Sequence, residues 1–228
     1  MSAYGVIKRA NNDNPLPPTL WPGSKLGTYV AVHHLTLPTA KKLDGLLEYL
    51  NIIFAKEVEE GRTYPQEGEM SQDTFEAYFF AADVFIGIIR QPKHEDITKG
   101  TVEITIEKAR AGRPWEHCVA GYYYIKPNYP GRSSHICNAG FVVPPIHRGT
   151  GYGSVLAESY VHYAPKLGYQ ASVFNLVYVN NTASIKLWEK LDFIKAGKIP
   201  RAGRLRRKDG EGEEYVDAWV FYKSFIES

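Results

Sequence analysis

The chain has 228 residues, of which 44% are hydrophobic and 23% charged, and its formal net charge is only +2. This composition excludes a disordered or fibrous protein and predicts a single globular domain over residues 1–228. The nearly balanced charge gives no reason to expect nucleic acid as a partner. Cys118 and Cys137 lack CxxC spacing and the seven histidines lack HxxxH spacing, so we expect reduced thiols and no metal.

The N-terminal segment has no apolar stretch typical of a signal peptide, and no later window is apolar enough to span a membrane. We therefore expect no export and no membrane contact. The expected location is cytoplasmic, with a nuclear location left open. Asn, Pro and Gly dominate residues 10–27, which predicts an irregular arm over residues 1–27.

The next part of the chain predicts two strands and two helices. A β-branched run predicts a short strand that ends at Pro38, and apolar residues three and four apart predict a helix over 39–60. A second helix is expected to begin at Ser71, and the stretch ADVFIGIIR predicts another strand. Residues 91–114 are ambiguous, since VEITI alternates like a strand whereas IEKARAG is typical of a helix end.

The C-terminal half predicts alternating strands and helices. HCVAGYYYIKP and SHICNAGFVV are expected to be strands joined by a turn at 127–131. A helix over 151–165, a strand at ASVFNLVYV that is buried on both faces, and a short helix over 182–191 follow. Strands near 193–199 and 214–222 end the pattern. This order predicts an α/β fold in which helices cover a mixed sheet.

A glycine-rich segment, VPPIHRGTGYGS at residues 143–154, separates an apolar strand from an amphipathic helix. Gly149, Gly151 and Gly153 let the backbone approach an anion, and the N-terminus of the helix offers free N–H groups. Arg148 adds a full charge, so the segment fits a pyrophosphate. The glycine spacing does not match a dinucleotide fingerprint, and no lysine completes an ATPase phosphate loop. A glycine-rich turn without a ligand is the alternative.

A second motif, NTASIKLWEKLDF at residues 181–193, begins with an asparagine in helix N-cap position. Alone, it predicts only a capped amphipathic helix. Together with RGTGYG, it resembles the coenzyme A-binding segments of the GNAT acetyltransferases, Arg/Gln-x-x-Gly-x-Gly/Ala and Asn-x-x-Ala/Ser-x-x-Leu-Tyr-x-x-x-Gly-Phe. The resemblance is close over 122–193 and covers the whole chain in layout. It implies the GNAT fold, a central twisted mixed sheet flanked by helices, with a core at about 116–193 that binds acetyl-CoA.

The same resemblance implies the residues that hold the co-substrate acetyl-CoA. They are Phe141, Val142, Val143, Arg148, Gly149, Thr150, Gly151, Tyr152, Gly153, Ser154 and Asn181. The implied chemistry is direct attack of a neutral amine on the acetyl thioester in a ternary complex, with backbone N–H groups of residues 138–143 polarising the thioester carbonyl.

The proton donor of this reaction is not evident from the sequence. Trp188 stands where many GNAT enzymes have the tyrosine that is assigned to protonate the leaving thiolate, and an indole cannot supply a proton at useful pH. Tyr178 and solvent are the two candidates for the acid. A secondary ammonium must also lose its proton before it attacks, and the base remains unassigned.

Three segments narrow the resemblance further. YIKPNYPGRSSHICNAGFVV, FNLVYVNNTASIKLWEKLDF and GRTYPQ resemble the fungal acetyltransferases that detoxify proline analogues such as azetidine-2-carboxylate. This resemblance implies a small cyclic secondary amino acid as the acceptor and a homodimer as the assembly. It also implies that Asn138 holds the substrate and that Asn175 takes part in catalysis.

Asn138 and Asn175 also attract attention without the resemblance, because each places an amide in an apolar strand. An unsatisfied buried amide costs roughly 1–3 kcal/mol, so each side chain needs a partner. The alternative is an asparagine that is satisfied within the core or at a β-bulge. An asparagine cannot act as a base, but its amide can orient water or stabilise an oxyanion.

Basic residues between 201 and 208 precede the acidic residues Glu211, Glu213 and Glu214. We expect a solvated hairpin loop whose two limbs pair with each other. In the alternatives, one arginine reaches the acceptor's carboxylate or the loop grips an acidic peptide, and nucleic-acid binding is a weaker third. For the whole chain, the alternative functions are acetylation of a protein N-terminus, a lysine or a polyamine, and a non-catalytic module that binds coenzyme A.

Overall fold

A computed structural model describes residues 15–23, 27–90, 100–101 and 104–226 of the chain. The strands in these residues are β1 Thr19–Pro22, β2 Tyr29–Leu35, β3 Asp83–Arg90, β4 Gly100–Thr101, β5 Val119–Pro127, β6 Ile136–Val142, β7 Ala171–Tyr178, β8 Ile194–Arg206 and β9 Glu213–Ser224. They form one nine-stranded sheet in the order β4-β1-β2-β3-β5-β6-β7-β9-β8. The helices are α1 Leu37–Ala40, α2 Leu46–Glu60, α3 Gln72–Phe79, α4 Ile106–Arg110, α5 Trp115–Cys118, α6 Tyr152–Lys166 and α7 Thr182–Lys190. The expected mixed α/β fold is confirmed.

Helices cover both faces of the sheet, and the alternation of side chains along β5 shows how. Tyr123 points toward α6, where its hydroxyl bonds Ser159 at 2.8 Å. Tyr122 points to the other face, where its hydroxyl donates to the carbonyl of Leu50 in α2 at 2.6 Å. Both rings are fully buried. The two cores therefore meet only through the sheet, as expected when successive side chains of a strand point to opposite faces.

The sheet opens into a fork between β6 and β7. These strands pair in parallel at Ile136 with Ala171 and at Cys137 with Ser172, and among the described residues no further pairs continue the ladder. All other neighbouring strands pair antiparallel. Beyond Cys137 the two strands separate, and the gap between them forms the cleft described below.

The prediction of an irregular arm over residues 1–27 is wrong near the C-terminal end of that segment. Residues 19–22 form β1, which pairs with β2 and β4, and Leu20 and Trp21 are buried. Pairing with two neighbours and burial of Trp21 override the local preference of a proline-rich segment for irregular structure. Residues 1–14 and 24–26 of the predicted arm lie outside the described residues.

Two helix boundaries also differ from the sequence prediction. The helix predicted over 39–60 is split into α1 and α2, because Gly45 adopts a left-handed φ of 70° at the start of α2. Residues 117 and 118, predicted as strand, belong to the short helix α5. In the ambiguous segment 91–114, the described residues form β4 and α4, and the stretches 91–99 and 102–103 lie outside the described residues.

The predicted charged loop between 201 and 208 is largely strand, because β8 continues to Arg206 and pairs with β9. The expected pairing between the two limbs occurs at Arg204, whose Nε lies 3.0 Å from Glu213. Arg204 also contacts Glu67 at 3.0 Å. Cross-strand hydrogen bonds thus extend the sheet through a segment whose charged composition suggested a loop. No helix of the described part of the chain is long and apolar enough to cross a membrane.

Candidate active site

The fork between β6 and β7 holds a cleft of about 670 Å³. Its walls come from β6, β7, the end of α2, the segment 63–65, α3, the start of α6 and α7. The residues of the cofactor prediction that line it are Phe141, Val143, Arg148, Gly151, Gly153, Ser154 and Asn181. Gly149 and Thr150 lie in the adjoining turn, whereas Val142 and Tyr152 are buried in the two cores. The fold therefore brings most of the predicted set to one cavity.

The glycine-rich segment has the geometry that an anion requires. Gly151 stands at the N-cap of α6 with φ of 84°, a left-handed conformation that favours glycine, and no side chain caps the helix. A Cβ added at Gly153 would find no atom within 4 Å. Packing within the protein therefore does not require glycine at this position. The uncapped N–H groups at the start of a 15-residue helix face the same space, which fits the pyrophosphate of acetyl-CoA.

Arg148 is not a free charge beside this loop. Its guanidinium forms an ion pair with Glu57 of α2, and Glu60 lies 3.9 Å away. Glu57 is 7% exposed and also accepts a hydrogen bond from Thr63 at 3.0 Å. A buried carboxylate is stable only with such partners. The structure thus places a negative charge next to the site for an anion, balanced by the arginine that was expected to bind the anion.

Three asparagine amides meet where the fork begins. Asn128 Oδ1 accepts hydrogen bonds from the Nδ2 atoms of Asn138 and Asn175, each at 2.6 Å. Asn128 Nδ2 donates to Asn175 Oδ1 at 3.2 Å, and the hydroxyl of Tyr129 donates to the same oxygen at 3.3 Å. The predicted substrate and catalytic residues are therefore linked through a third amide, although they lie on different strands.

The two predicted asparagines are satisfied to different degrees. Asn175 lies at a bulge of β7, where the register with β9 shifts between Phe174 and Val177, and its Oδ1 has two donors. Asn138 Oδ1 is buried and has no hydrogen-bond partner among the described residues. Both residues line the cleft, and Asn138 Oδ1 is the oxygen of this cluster that lacks a donor.

Three tyrosines, Tyr64, Tyr78 and Tyr124, also line the cleft. Tyr64 donates its hydroxyl to the carbonyl of Phe141 at 3.0 Å, and burial raises its pKa well above the usual value. The hydroxyls of Tyr78 and Tyr124 lie 3.0 Å apart. The ring of Tyr124 packs on Gly140, where an added Cβ would lie 2.6 Å from the ring. This part of the cleft is thus narrow, aromatic and lined by neutral polar groups.

Trp188 and Tyr178 differ in the chemistry they can perform. The Trp188 ring is 4% exposed and packs on Phe174 with ring centroids 4.3 Å apart, so it fills space at the base of the cleft. Tyr178 also lines the cleft, and its buried hydroxyl has no hydrogen-bond partner among the described residues. Burial raises the pKa of this phenol, which keeps it protonated at neutral pH.

The sequence prediction missed three residues of this site. Asn128 follows the last residue of β5, where an asparagine is easily taken for a turn residue. Tyr64 lies in GRTYPQ, a segment that resembles the proline-analogue acetyltransferases without indicating a role for any single residue. Glu57 gave the clearest sign, since it follows Ile53 and Phe54 at helical spacing on the apolar face of α2, where a lone carboxylate is unusual.

The family of this chain is shown by comparison with known proteins. The model of the Acetyltransferase (GNAT) family matches residues 69–193, more than half of the chain. N-acetyltransferase aca1 of Schizosaccharomyces pombe is 39% identical over 213 residues, which span 93% of this chain and 94% of aca1. The chain belongs to the GNAT acetyltransferase family and is an acetyl-CoA-dependent N-acetyltransferase.

Further similarities support the same fold. Protein SPT10 of Saccharomyces cerevisiae is 30% identical over 205 residues, which span 79% of this chain but only 31% of SPT10. A GCN5-related N-acetyltransferase from Kribbella flavida superimposes with a TM-score of 0.61 at 21% identity, covering 85% of this chain and 97% of its own. yncA from Salmonella typhimurium, solved with its cofactor acetyl-CoA, superimposes with a TM-score of 0.60 at 16% identity, covering 87% and 95%.

Proposed function

We propose that this enzyme acetylates the ring nitrogen of a small cyclic secondary amino acid such as azetidine-2-carboxylate. The observation that carries the proposal is the unpartnered Oδ1 of Asn138, a residue that lines the same cleft as four tyrosines. A compact ring fills such a space, and its N–H group supplies the donor that the oxygen lacks. The segments that resemble the proline-analogue acetyltransferases supply residues that line this cleft, among them Tyr64 of GRTYPQ.

The chain's own residues define the proposed steps. Asn138 holds the amine, which gives one proton of its ammonium form to water before its nitrogen attacks the thioester carbonyl carbon. The second N–H proton passes to water once the N–C bond has formed. The C–S bond then breaks, and the Tyr178 hydroxyl gives its proton to the departing thiolate and regains one from solvent. Tyr178 is the candidate because it lines the cleft and its hydroxyl has no hydrogen-bond partner among the described residues, and burial, which raises its pKa, keeps it in the protonated form. Replacing it by phenylalanine should lower kcat roughly 100-fold, the usual contribution of a general acid.

A second acceptor class is favoured by a neighbouring cavity. This cavity of about 710 Å³ shares Tyr64, Pro65 and Tyr178 with the cleft. Its lining includes the carboxylates of Glu59, Glu67, Glu69 and Glu213 and the guanidinium groups of Arg204 and Arg206. Glu67 and Glu213 are paired with Arg204, so a polyamine or a lysine side chain that reached past Tyr64 would meet chiefly Glu59 and Glu69.

The test is release of free thiol from acetyl-CoA by the purified protein with matched acceptors. These are azetidine-2-carboxylate, proline, lysine, spermidine and a histone-tail peptide. Preference for the cyclic amino acids, lost in Asn175→Ala while the variant keeps its melting temperature, supports the proposal. Activity on spermidine, lysine or peptide alone assigns the enzyme to the second class. Binding of coenzyme A without thiol release for any acceptor supports a non-catalytic module.

We also propose a homodimer that uses the edge of the sheet at β8. This strand has 13 residues, is the last in the sheet order, and exposes Ile194 and Ile199 on the surface. Charged residues and bulges protect parts of this edge, and the two exposed isoleucines are the apolar residues that a partner would cover. Light scattering should give twice the mass of the chain, and Ile199→Lys should reduce it to one copy. A monomer in the unmodified protein rejects the proposal.

A further inference from the structure

Asn128 occupies the point at which the sheet divides. It follows β5 directly, and its backbone N–H donates to the carbonyl of Ile136 at 2.8 Å, which ties it to the first residue of β6. The pairing between β6 and β7 stops at Cys137 and Ser172. Asn128 is 4% exposed, and its side chain bonds to one residue on each of the two separating strands. The amide therefore bridges the strands just where their backbones no longer do.

The hydrogen bonds of Asn128 determine how both neighbouring amides are turned. A carbonyl oxygen has two lone pairs, and Asn128 Oδ1 receives one donor from Asn138 and one from Asn175. Each neighbour must therefore turn its NH₂ group toward Asn128. The return bond from Asn128 Nδ2 to Asn175 Oδ1 fixes the second amide from its other end as well.

This arrangement gives the two cleft-lining amides different free groups. Asn138 is left with a carbonyl oxygen that has no partner among the described residues. The oxygen of Asn175 is occupied by Asn128 and Tyr129, so Asn175 has only its second N–H to offer. Without Asn128, either amide could rotate and exchange its oxygen for its nitrogen. The Asn128 side chain thus leaves Asn138 with a free hydrogen-bond acceptor and Asn175 with a free hydrogen-bond donor.

We propose that Asn128 is a positioning residue for acetyl transfer, which orients Asn138 to accept from the acceptor amine and Asn175 to donate to the reacting group. The inference rests on the proposed function in so far as the acceptor carries an N–H that meets Asn138. It assigns Asn128 no contact with the substrate. Its effect is exerted through the two amides alone.

The kinetic test compares Asn128→Ala, Asn128→Asp and the matched control Asn180→Ala, which removes an exposed amide next to the same site. Asn128→Ala removes the shared acceptor, so kcat should fall roughly 100-fold while the Kd for acetyl-CoA changes less than threefold. Asn128→Asp keeps an acceptor oxygen for both neighbours but loses the return bond to Asn175 Oδ1, so it should recover only about a tenth of the wild-type kcat. The control should stay within threefold of wild type. Equal losses in the alanine and aspartate variants, or a kcat for Asn128→Ala within threefold of wild type, would overturn the proposal.

A second measurement is independent of the acceptor and of activity. Side-chain NH₂ groups of asparagine give resolved signals in protein labelled with ¹⁵N only at asparagine. In the wild type, the groups of Asn138 and Asn175 should exchange with solvent slowly, because each donates to a buried oxygen. Asn128→Ala should make both exchange at least tenfold faster, and Asn128→Asp should keep them slow. If the wild type lacks activity on cyclic amino acids but shows this pattern, the proposed substrate fails and the role of Asn128 stands; fast exchange in the wild type would refute that role.

Discussion

Replacing Gly153 by alanine should separate the stability of the protein from its affinity for acetyl-CoA. Gly153 is the second residue of α6, its φ is not left-handed, and an added Cβ meets no atom within 4 Å. Alanine in a helix is more stable than glycine by roughly 0.5–1 kcal/mol. For a chain of this size, 1 kcal/mol corresponds to roughly 2–4 °C. The melting temperature of the ligand-free variant should therefore rise by about 1–4 °C.

The affinity of Gly153→Ala for acetyl-CoA should change less than threefold, because the family pattern Arg/Gln-x-x-Gly-x-Gly/Ala allows alanine at this position. The larger side chain of Gly153→Leu, in contrast, would occupy the space that the pyrophosphate needs to reach the first N–H groups of α6. Loss of one hydrogen bond to a charged group costs roughly 1.5–3 kcal/mol, which weakens binding about 10- to 100-fold. Isothermal titration calorimetry with acetyl-CoA and thermal unfolding of the same samples measure both quantities.

A matched control for the binding experiment is Gly197→Leu in β8. Gly197 also has open space around an added Cβ and no left-handed φ, but it lies outside the cleft. Its replacement should leave the Kd for acetyl-CoA unchanged. If Gly153→Leu binds acetyl-CoA as tightly as the wild type, the pyrophosphate does not lie at the N-terminus of α6, and the assignment of this loop is wrong.

Three further predictions follow from other contacts. Gly140→Ala places a Cβ 2.6 Å from the ring of Tyr124. Denaturant unfolding should therefore show that the free energy of unfolding falls by about 1–3 kcal/mol, and the KM for the acceptor should rise. Unchanged stability would contradict the described packing. Burial, and to a smaller extent the charge of Arg90, lower the pKa of His33 from 6.5 to about 4. As the pH falls, the unfolded chain therefore binds a proton on this imidazole at a higher pH than the folded chain does. The unfolding free energy should decrease by about 2 kcal/mol from pH 7 to pH 5, and a His33→Gln variant with the same decrease would disprove this origin. Glu57→Gln removes the carboxylate that balances the charge of Arg148, so acetyl-CoA should bind roughly 3- to 10-fold more tightly at low salt. Weaker binding would show that Glu57 instead holds the arginine in its binding position.

Local patterns in the sequence were sufficient for the helices and strands around the cleft. The spacing of apolar residues placed α6 and α7 within two residues of their observed ends, because helical period and capping are properties of short segments. Asn181 caps α7 as expected, with its Oδ1 accepting from the Ser184 N–H at 3.1 Å. The glycines of the loop were recognisable for the same reason, since a left-handed turn before a helix restricts the residues that can form it.

Pairing between distant segments was decided by the tertiary structure. β1 and the second half of β8 have compositions typical of loops, and they are strands because neighbouring strands complete their hydrogen bonds. The sequence singled out Asn138 and Asn175 one at a time as polar residues in apolar strands. Only the fold brings them onto Asn128, which is 47 residues before Asn175, because a hydrogen bond between side chains depends on where the strands separate and no local period records that distance.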